Sequence, residues 1–329
     1  MKILYIIPGL EQGGAEMHVI NLANEMQKLG HEILIATTGG KLENLLNPNI
    51  KIIHAQVERK NFITGIYAAF KLSRLNPDII HAHSRVPAWI AYFAKKFNPR
   101  LKWLMTAHAM YSLNFGIWPF KKANGVICVS DAVKNYLAGR IPENSITIYN
   151  GIKITGEQNI PPCKNKFLFV GRLTRLKNVD VVIKAFANLK NYEWQFEIIG
   201  DGSQMDTLKN LTNELNLQDR IKFLGALDNN SVIQNMLRSD CLIFPSSSEG
   251  MGLAVLEALS VNLPVIASDI NALREISTGN LIQVGDVEAW KNALENFMLN
   301  KISSTFKNNC VISISEMAKQ TEAFYNSIR

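Results

Sequence analysis

Residues 246–260 read SSSEGMGLAVLEALS and set two carboxylates, Glu249 and Glu257, eight positions apart around a glycine-containing turn and an apolar run. The apolar spacing predicts that a helix starts near Gly252 or Leu253, so Glu249 precedes it and Glu257 lies about one and a half turns inside. At 1.5 Å per residue, eight residues span about 12 Å. That is roughly the reach from the sugar to the ribose of a nucleotide sugar. The helix N-terminus, with its free N–H groups and positive dipole end, would fall at the diphosphate between them. Carboxylates this far apart suit hydroxyl groups, which they grip by charge-assisted hydrogen bonds. They do not suit a metal, whose ligands converge on a point. The plain alternative for Glu257 is a surface glutamate, against which its neighbours Leu256, Ala258 and Leu259 speak.

Two further stretches could handle phosphate. In VGRLTRLKN, residues 170–178, Arg172 and Lys177 flank a short loop and could meet one dianion, the first as a planar fork and the second as a point charge. In PGLEQGGAE, residues 8–16, Gly13 and Gly14 allow close backbone approach just before a helix. This is not the G-x-G-x-x-G dinucleotide fingerprint. Gly200-Asp201-Gly202 supplies another tight turn.

The elements that must carry these groups alternate. KILYIIPG reads as a strand, residues 15–29 as a helix ending at Gly30, and HEILIATT, DIIHAH, KWLMTAH and GVICVS as further strands. The polar, two-proline stretch between Ile152 and Lys166 reads as a linker. The pattern then restarts with KFLFVGRL, DVVIKAFANLK, QFEIIGDGS, IKFLGAL, CLIFPS, GLAVLEALS and LPVIASD, and ends in an amphipathic helix, ISEMAKQTEAFYNSIR. The expected fold is α/β, with two Rossmann-like, doubly wound domains facing each other across a cleft. The expected bounds are residues 1–155, residues 156–310, and a terminal helix over residues 311–329. Every chemical motif falls at the carboxyl end of a strand, where open α/β sheets bind ligands.

Bulk composition narrows the class. The chain has 329 residues, 47% of them hydrophobic and 19% charged, with no apolar stretch of transmembrane length. The six-residue apolar run at the N-terminus fits a buried first strand better than a signal peptide. Cys128, Cys163, Cys241 and Cys310 are scattered, form no C-x-x-C pair and read as reduced thiols of a cytoplasmic protein. The net charge of +7 is uneven. Residues 85–140 hold Arg85, Lys95, Lys96, Arg100, Lys102, Lys121, Lys122, Lys134 and Arg140 against the single acid Asp131, interleaved with aromatics from Trp89 to Phe120. Such a face suits an anionic membrane surface, while a solvated basic surface over core aromatics is the bland alternative. No helix–turn–helix or repeated basic motif points to nucleic acid.

The ordered set GGAE, GRLTRLKN, GDGS, FLG and E-x7-E with EGMGL covers nearly the whole chain and resembles the retaining glycosyltransferases of family 4, which have the GT-B fold. The resemblance implies that the C-terminal domain holds a nucleotide-diphosphate sugar, probed by Glu249 at the sugar hydroxyls and Glu257 at the ribose. Arg172 and Lys177 would neutralise the departing diphosphate in place of a metal, and no DxD motif occurs. Gly14, beside Gly13, would approach the phosphate from across the cleft. The amides of Met251, Gly252 and Leu253 would hold the same group, Gly200 would lie at the donor site, and the base would lie near Gly225, Ala226 and Leu227. The last helix would return to the N-terminal domain. His108 would stand near the reacting centre. Glu16, His81, His83 and Ser84 are candidate acceptor contacts, with a structural role equally open for His81 and His83. Donor transfer is expected to need no cofactor and no metal. The donor is expected to be UDP-linked, with GDP as the rival, and the acceptor a lipid-linked or envelope glycan at the inner face of a membrane. Two departures stand out. Asn150-Gly151-Ile152-Lys153 replaces the family's frequent Asn-Gly-x-Asp, and the N-terminal domain is short, so trimmed acceptor loops are expected. A GT-B enzyme of another reaction, such as a sugar-nucleotide epimerase, and a nucleotide-sugar-binding protein without catalysis are the remaining alternatives.

Overall fold

A computed structural model describes residues 1–11, 13–58, 61–153, 165–276, 279, 281–300 and 311–328. The interdomain linker expected between Ile152 and Lys166, and Cys163 and Cys310, lie largely or wholly outside them. Two compact units emerge, Met1–Gly151 with Ile312–Arg329, and Ile152–Val311.

The first unit is built on seven parallel strands: β1 (Lys2–Ile6), β2 (Glu32–Thr37), β3 (Lys51–His54), β4 (Ile79–His83), β5 (Lys102–Ala107), β6 (Gly125–Cys128) and β7 (Ser145–Thr147). Their order is β3-β2-β1-β4-β5-β6-β7, so the winding reverses between β1 and β4. The helices are α1 (Gly14–Lys28), α2 (Phe62–Ser73), α3 (Arg85–Phe97) and α4 (Asp131–Tyr136), followed by the short β8 (Gly151–Ile152). β3 and β7 were not foreseen; they are short edge strands whose sequences, KIIH and SIT, carry too little pattern to stand out. The central strands are almost wholly buried, as a sheet covered on both faces requires, and are apolar except for His81, His83 and Thr106 near their carboxyl ends and the lysines that open β1 and β5.

The second unit has β9 (Lys166–Val170), β10 (Gln195–Ile199), β11 (Ile221–Gly225), β12 (Cys241–Phe244) and β13 (Val265–Ala267) in the order β11-β10-β9-β12-β13, all parallel. Its helices are α5 (Val179–Ala187), α6 (Met205–Glu214), α7 (Asn229–Leu237), α8 (Leu253–Ser260), α9 (Asn271–Arg274) and α10 (Val287–Met298). Phe167, Phe169, Phe186, Phe196 and Trp290 fill its core. Here the winding reverses between β9 and β12.

The chain closes with β14 (Ile312–Ser313) and α11 (Ile314–Ile328). α11 packs on α1 and sends Met317, Phe324, Tyr325 and Ile328 into the core of the first unit. Gly151 is needed at this junction, because a Cβ there would lie 2.6 Å from the Ile314 Cα. Cys128 and Cys241 are buried free thiols. No described helix is long and apolar enough to cross a membrane.

Candidate functional site

In the second unit, chemistry gathers where β9 and β12 part, the crevice in which open α/β sheets bind ligands. β9 leads through Gly171 into the loop carrying Arg172 and the 3-10 turn Arg175–Lys177. β12 leads into Ser246–Gly252 and then α8. The two loops are tied together. The Ser247 amide donates to the Leu176 carbonyl at 2.8 Å, its hydroxyl donates to the same oxygen at 3.0 Å, and the Asn178 amide group donates to the Pro245 carbonyl at 3.2 Å. Asn178 takes a left-handed backbone (φ 48°) to turn the chain into α5, which leaves Lys177 facing β12. There Lys177 Nζ donates to Glu249 Oε1 and lies 5.2 Å from the centre of the Phe244 ring. Both members of the ion pair are mostly covered. Arg172 stays exposed at the start of the loop.

α8 begins at Leu253, as the spacing predicts, after Gly252 in the left-handed region (φ 79°). Its N-cap is Gly252, which offers the first amides no side-chain cap. Met251 and Gly252 are buried. Glu257 is the fifth residue of the helix, and burial pushes its carboxyl up to about 7. The Ser246 hydroxyl is fully buried and has no hydrogen-bond partner. A loop with two cations, a carboxylate, an open helix N-terminus and a second carboxylate held near its titration point can bind a polyhydroxylated phosphate ester.

The remaining glycines of this unit divide. Gly200 (φ 136°) has a structural duty: a Cβ there would meet the Gly171 carbonyl oxygen at 1.9 Å. Gly202 presses on Leu173 in the same way, and the Leu173 amide donates to the Asp201 carbonyl at 2.8 Å. Gly200 therefore holds the Arg172 loop in place. Gly225, with Ala226 and Leu227, ends β11 next to it, and its carbonyl accepts from the Gly200 amide at 2.8 Å. A Cβ at Gly225 would meet open space.

In the first unit a second cluster forms at the ends of β1, β4 and β5. His81 and His83 alternate on β4, so both project to one face, and the parallel register sets Tyr5 beside His81 and Thr106 beside His83. His108 follows β5 on that face, and its Nε2 is 3.0 Å from His83 Nδ1. α1 brings His18 over the group, 4.8 Å from the His108 ring in an edge-on arrangement. His18 Nδ1 is fixed at 2.8 Å by Asn150 Oδ1. Burial holds all four imidazoles neutral, that of His18 down to about 4, and mutual repulsion lowers His81, His83 and His108 further. The Nε2 atoms of His18 and His83 are buried without a partner.

This geometry corrects the expectation for His81. Its ring is fully buried, with Nδ1 bonded to the Tyr325 hydroxyl and Nε2 to the Thr106 hydroxyl, each at 2.7 Å. Tyr325 in turn meets the Tyr5 hydroxyl at 3.2 Å. His81 thus ties α11 to the sheet and has no atom left for an acceptor. His83 lies one layer nearer the strand ends. Ser84 follows it with φ 89° and ψ 178°, a conformation costing about 1–3 kcal/mol for a non-glycine residue and one that gathers at functional sites. Gly13, Gly14 and Glu16 form the uncapped start of α1. His18, Asn150 and Ser246 were not foreseen as part of these sites. The signal for His18 was its place four residues after Gly14, one helical turn on.

The nitrogen atoms of His18, His83 and His108 all lie within 4.8 Å of one another. Three imidazoles at this spacing could gather round a metal ion.

Comparison with known proteins follows the same division. Residues 12–155 match the Glycosyltransferase Family 4 profile and residues 152–311 the Glycosyl transferases group 1 profile. An uncharacterized glycosyltransferase of Methanocaldococcus jannaschii is 30% identical over 285 residues, which is 80% of this chain and 77% of that protein. The N-acetyl-alpha-D-glucosaminyl L-malate synthase of Bacillus anthracis is 28% identical over 83% of this chain and 81% of its own. The Escherichia coli UDP-Gal:alpha-D-GlcNAc-diphosphoundecaprenol alpha-1,3-galactosyltransferase is 36% identical over 159 residues, 45% of this chain and 40% of that protein. In fold, Anabaena HepE, solved with UDP and glucose, superposes with a TM-score of 0.82 at 19% identity, over 99% of this chain and 100% of that one. The chain belongs to glycosyltransferase family 4 and is a glycosyltransferase of the GT-B fold.

Proposed function

We propose that this enzyme transfers a sugar, with retention of configuration and without a metal, from a UDP-sugar to a lipid-linked or envelope glycan at the inner face of a membrane. The observation that carries the donor part is the Lys177–Glu249 pair beside the open N-terminus of α8, with Glu257 on the same helix. In this reading Arg172 and Lys177 take the diphosphate, which frees Glu249 for the sugar hydroxyls. The amides of Met251, Gly252 and Leu253 complete the phosphate cradle, Glu257 binds the ribose, and Gly225, Ala226 and Leu227 border the base. Gly13 and Gly14 give the uncapped start of α1 a further anion contact. His108 serves the reacting centre, with His83, Ser84 and Glu16 toward the acceptor. His18 packs edge-on against the His108 ring, and His83 Nδ1 meets its Nε2, which together keep that ring in one orientation.

The transfer is front-face. The acceptor oxygen attacks the anomeric carbon from the side on which its bond to the β-phosphate oxygen breaks, and that phosphate oxygen takes the acceptor's proton. The protein contributes orientation and charge stabilisation. The UDP assignment and the lipid-linked acceptor are supported by the name of the E. coli relative. The membrane location is supported by the basic, aromatic region 85–140, where Trp89 stacks on Trp118 and Phe93, and Phe115 is 73% exposed.

The test is incubation of the purified chain, with EDTA, with UDP-sugars and a lipid extract containing diphosphate-linked acceptors. The anomeric coupling of the product is then read by NMR. An α-linked product from an α-configured donor supports the reading. A β-linked product, or strict dependence on a divalent ion, overturns the corresponding part.

A further inference from the structure

α2 has its apolar residues on both sides. Ala68, Ala69 and Leu72 face inward on the side that packs against α3. The opposite stripe is Ile63, Tyr67, Phe70, Lys71 and Arg74, spaced i, i+4, i+7, i+8 and i+11, and every member of it is exposed. Ile63 is 77% exposed and Tyr67 58%. A helix that is apolar on its outward face needs a second apolar phase to meet. The cations on the stripe lie over its rings, Lys71 4.6 Å from the Tyr67 centroid and Arg74 4.4 Å from that of Phe70. Both long side chains thus lie along apolar surface, the posture from which a charged tip reaches an interface.

The stripe does not end at α2. Phe70 meets the exposed Phe97 of α3 edge-on at 5.5 Å. Phe97, Phe93 and Trp89 recur every four residues along α3, and Trp89 touches Phe115 and Trp118 in the 3-10 segment Phe115–Lys122. One aromatic ridge therefore crosses three successive helical segments, α2, α3 and Phe115–Lys122. The segment that carries it is basic: from residue 61 to residue 130 the sequence holds nine Lys and Arg against the single acid Asp78. Asp78 accepts from the Lys2 amide at the N-terminal ends of the central strands β1 and β4.

We infer that α2 is the membrane-inserting element of this enzyme, lying in the interfacial plane with Ile63, Tyr67 and Phe70 at the acyl boundary and Lys71 and Arg74 on anionic lipid headgroups. The inference rests on the reading of the enzyme as membrane-working and gives it a particular anchor. Apolar side chains and basic flanks are the two signals that interfacial anchoring combines. The basic segment alone would bind by charge and be released by salt, whereas insertion of three large side chains persists at high salt.

The experiment is co-sedimentation of the full chain with vesicles of phosphatidylglycerol and phosphatidylethanolamine, and with vesicles of phosphatidylcholine, at 0.1 M and 0.5 M salt. Wild type is compared with the triple variant Ile63→Ser/Tyr67→Ser/Phe70→Ser. All three positions are exposed, so melting temperature and UDP-sugar transfer to a soluble acceptor analogue are expected to stay at wild-type values. The triple variant is expected to lose roughly tenfold or more in partitioning to anionic vesicles, and Lys71→Gln/Arg74→Gln to lower the salt sensitivity. Wild-type binding that the triple variant retains in full would overturn the role of α2 and leave the membrane reading standing. No wild-type binding to either vesicle would overturn both. Equal binding to phosphatidylcholine would remove the anionic headgroups. A wild-type dimer that the triple variant splits, with vesicle binding unchanged, would make this face a protein interface.

Discussion

Glu257 should work against the stability of the empty protein, and the size of the effect follows from its titration. Its carboxyl is raised by burial to about 7, against the usual 4.5. An unfolded chain is deprotonated above 4.5, whereas the folded one holds its proton up to about 7. The folded state thus binds more protons in that window, and stability falls as pH rises through it, levelling above 7. Integrated, the cost is under about 1 kcal/mol at pH 5 and about 3 kcal/mol at pH 8. Glu257→Gln keeps the shape and removes the charge. It should therefore stabilise the empty protein by about 1–3 kcal/mol at pH 8, less at pH 5, while weakening nucleotide binding at both. Urea unfolding at the two pH values, with nucleotide titration alongside, reads all four quantities. A Gln variant that is less stable than wild type at pH 8, or equally stabilised at both pH values, would refute the reasoning.

Four further outcomes follow from the same geometry. His18 stays neutral down to about 4 while an unfolded histidine titrates near 6.5. Its stabilising contribution is therefore complete above 6.5 and is lost as pH falls toward 4. In the Glu257→Gln background, which removes that opposing titration, urea unfolding should report a loss of at least about 2 kcal/mol between pH 8 and pH 5, the share of His18, with His81, His83 and His108 adding to it in the same direction; a flat profile contradicts it. Lys177→Ala should lower kcat by roughly 10²–10³, the scale for removing one charge-stabilising group, with melting temperature little changed. His108→Ala should leave nucleotide affinity within about twofold in a titration but reduce transfer by tenfold or more. Gly200→Ala should destabilise by roughly 2–4 kcal/mol, read as a fall in melting temperature, because its Cβ would meet the Gly171 carbonyl oxygen at 1.9 Å.

The alternation of apolar runs with amphipathic stretches made the two sheets legible, because strands buried on both faces read as unbroken Val/Ile/Leu/Phe segments. Short edge strands such as Lys51–His54 carry only four residues of pattern and escaped. The loops carrying Arg172 to Lys177 and Ser246 to Gly252 were legible because glycine, arginine and glutamate at strand ends are local signals. Contacts between distant segments were not. Nothing in the spacing of Asn150 says that it fixes His18, 132 positions away, or that Tyr325 satisfies His81 across 244 positions. Gly200 was legible as part of a tight turn, but not the reason for the glycine: a Cβ there would meet the Gly171 carbonyl oxygen at 1.9 Å. The outward stripe of α2 was missed because exposure, unlike periodicity, depends on which neighbours the fold supplies.

The most direct test of the donor site is calorimetric titration of UDP, GDP and ADP, and of their glucose and N-acetylglucosamine derivatives where these exist, into wild type and Lys177→Ala, with EDTA present. The account predicts metal-free binding of one nucleotide family, the UDP series, weakened at least tenfold in the variant as the diphosphate loses its cation. Binding that needs a divalent ion, or that Lys177→Ala leaves untouched, would contradict it.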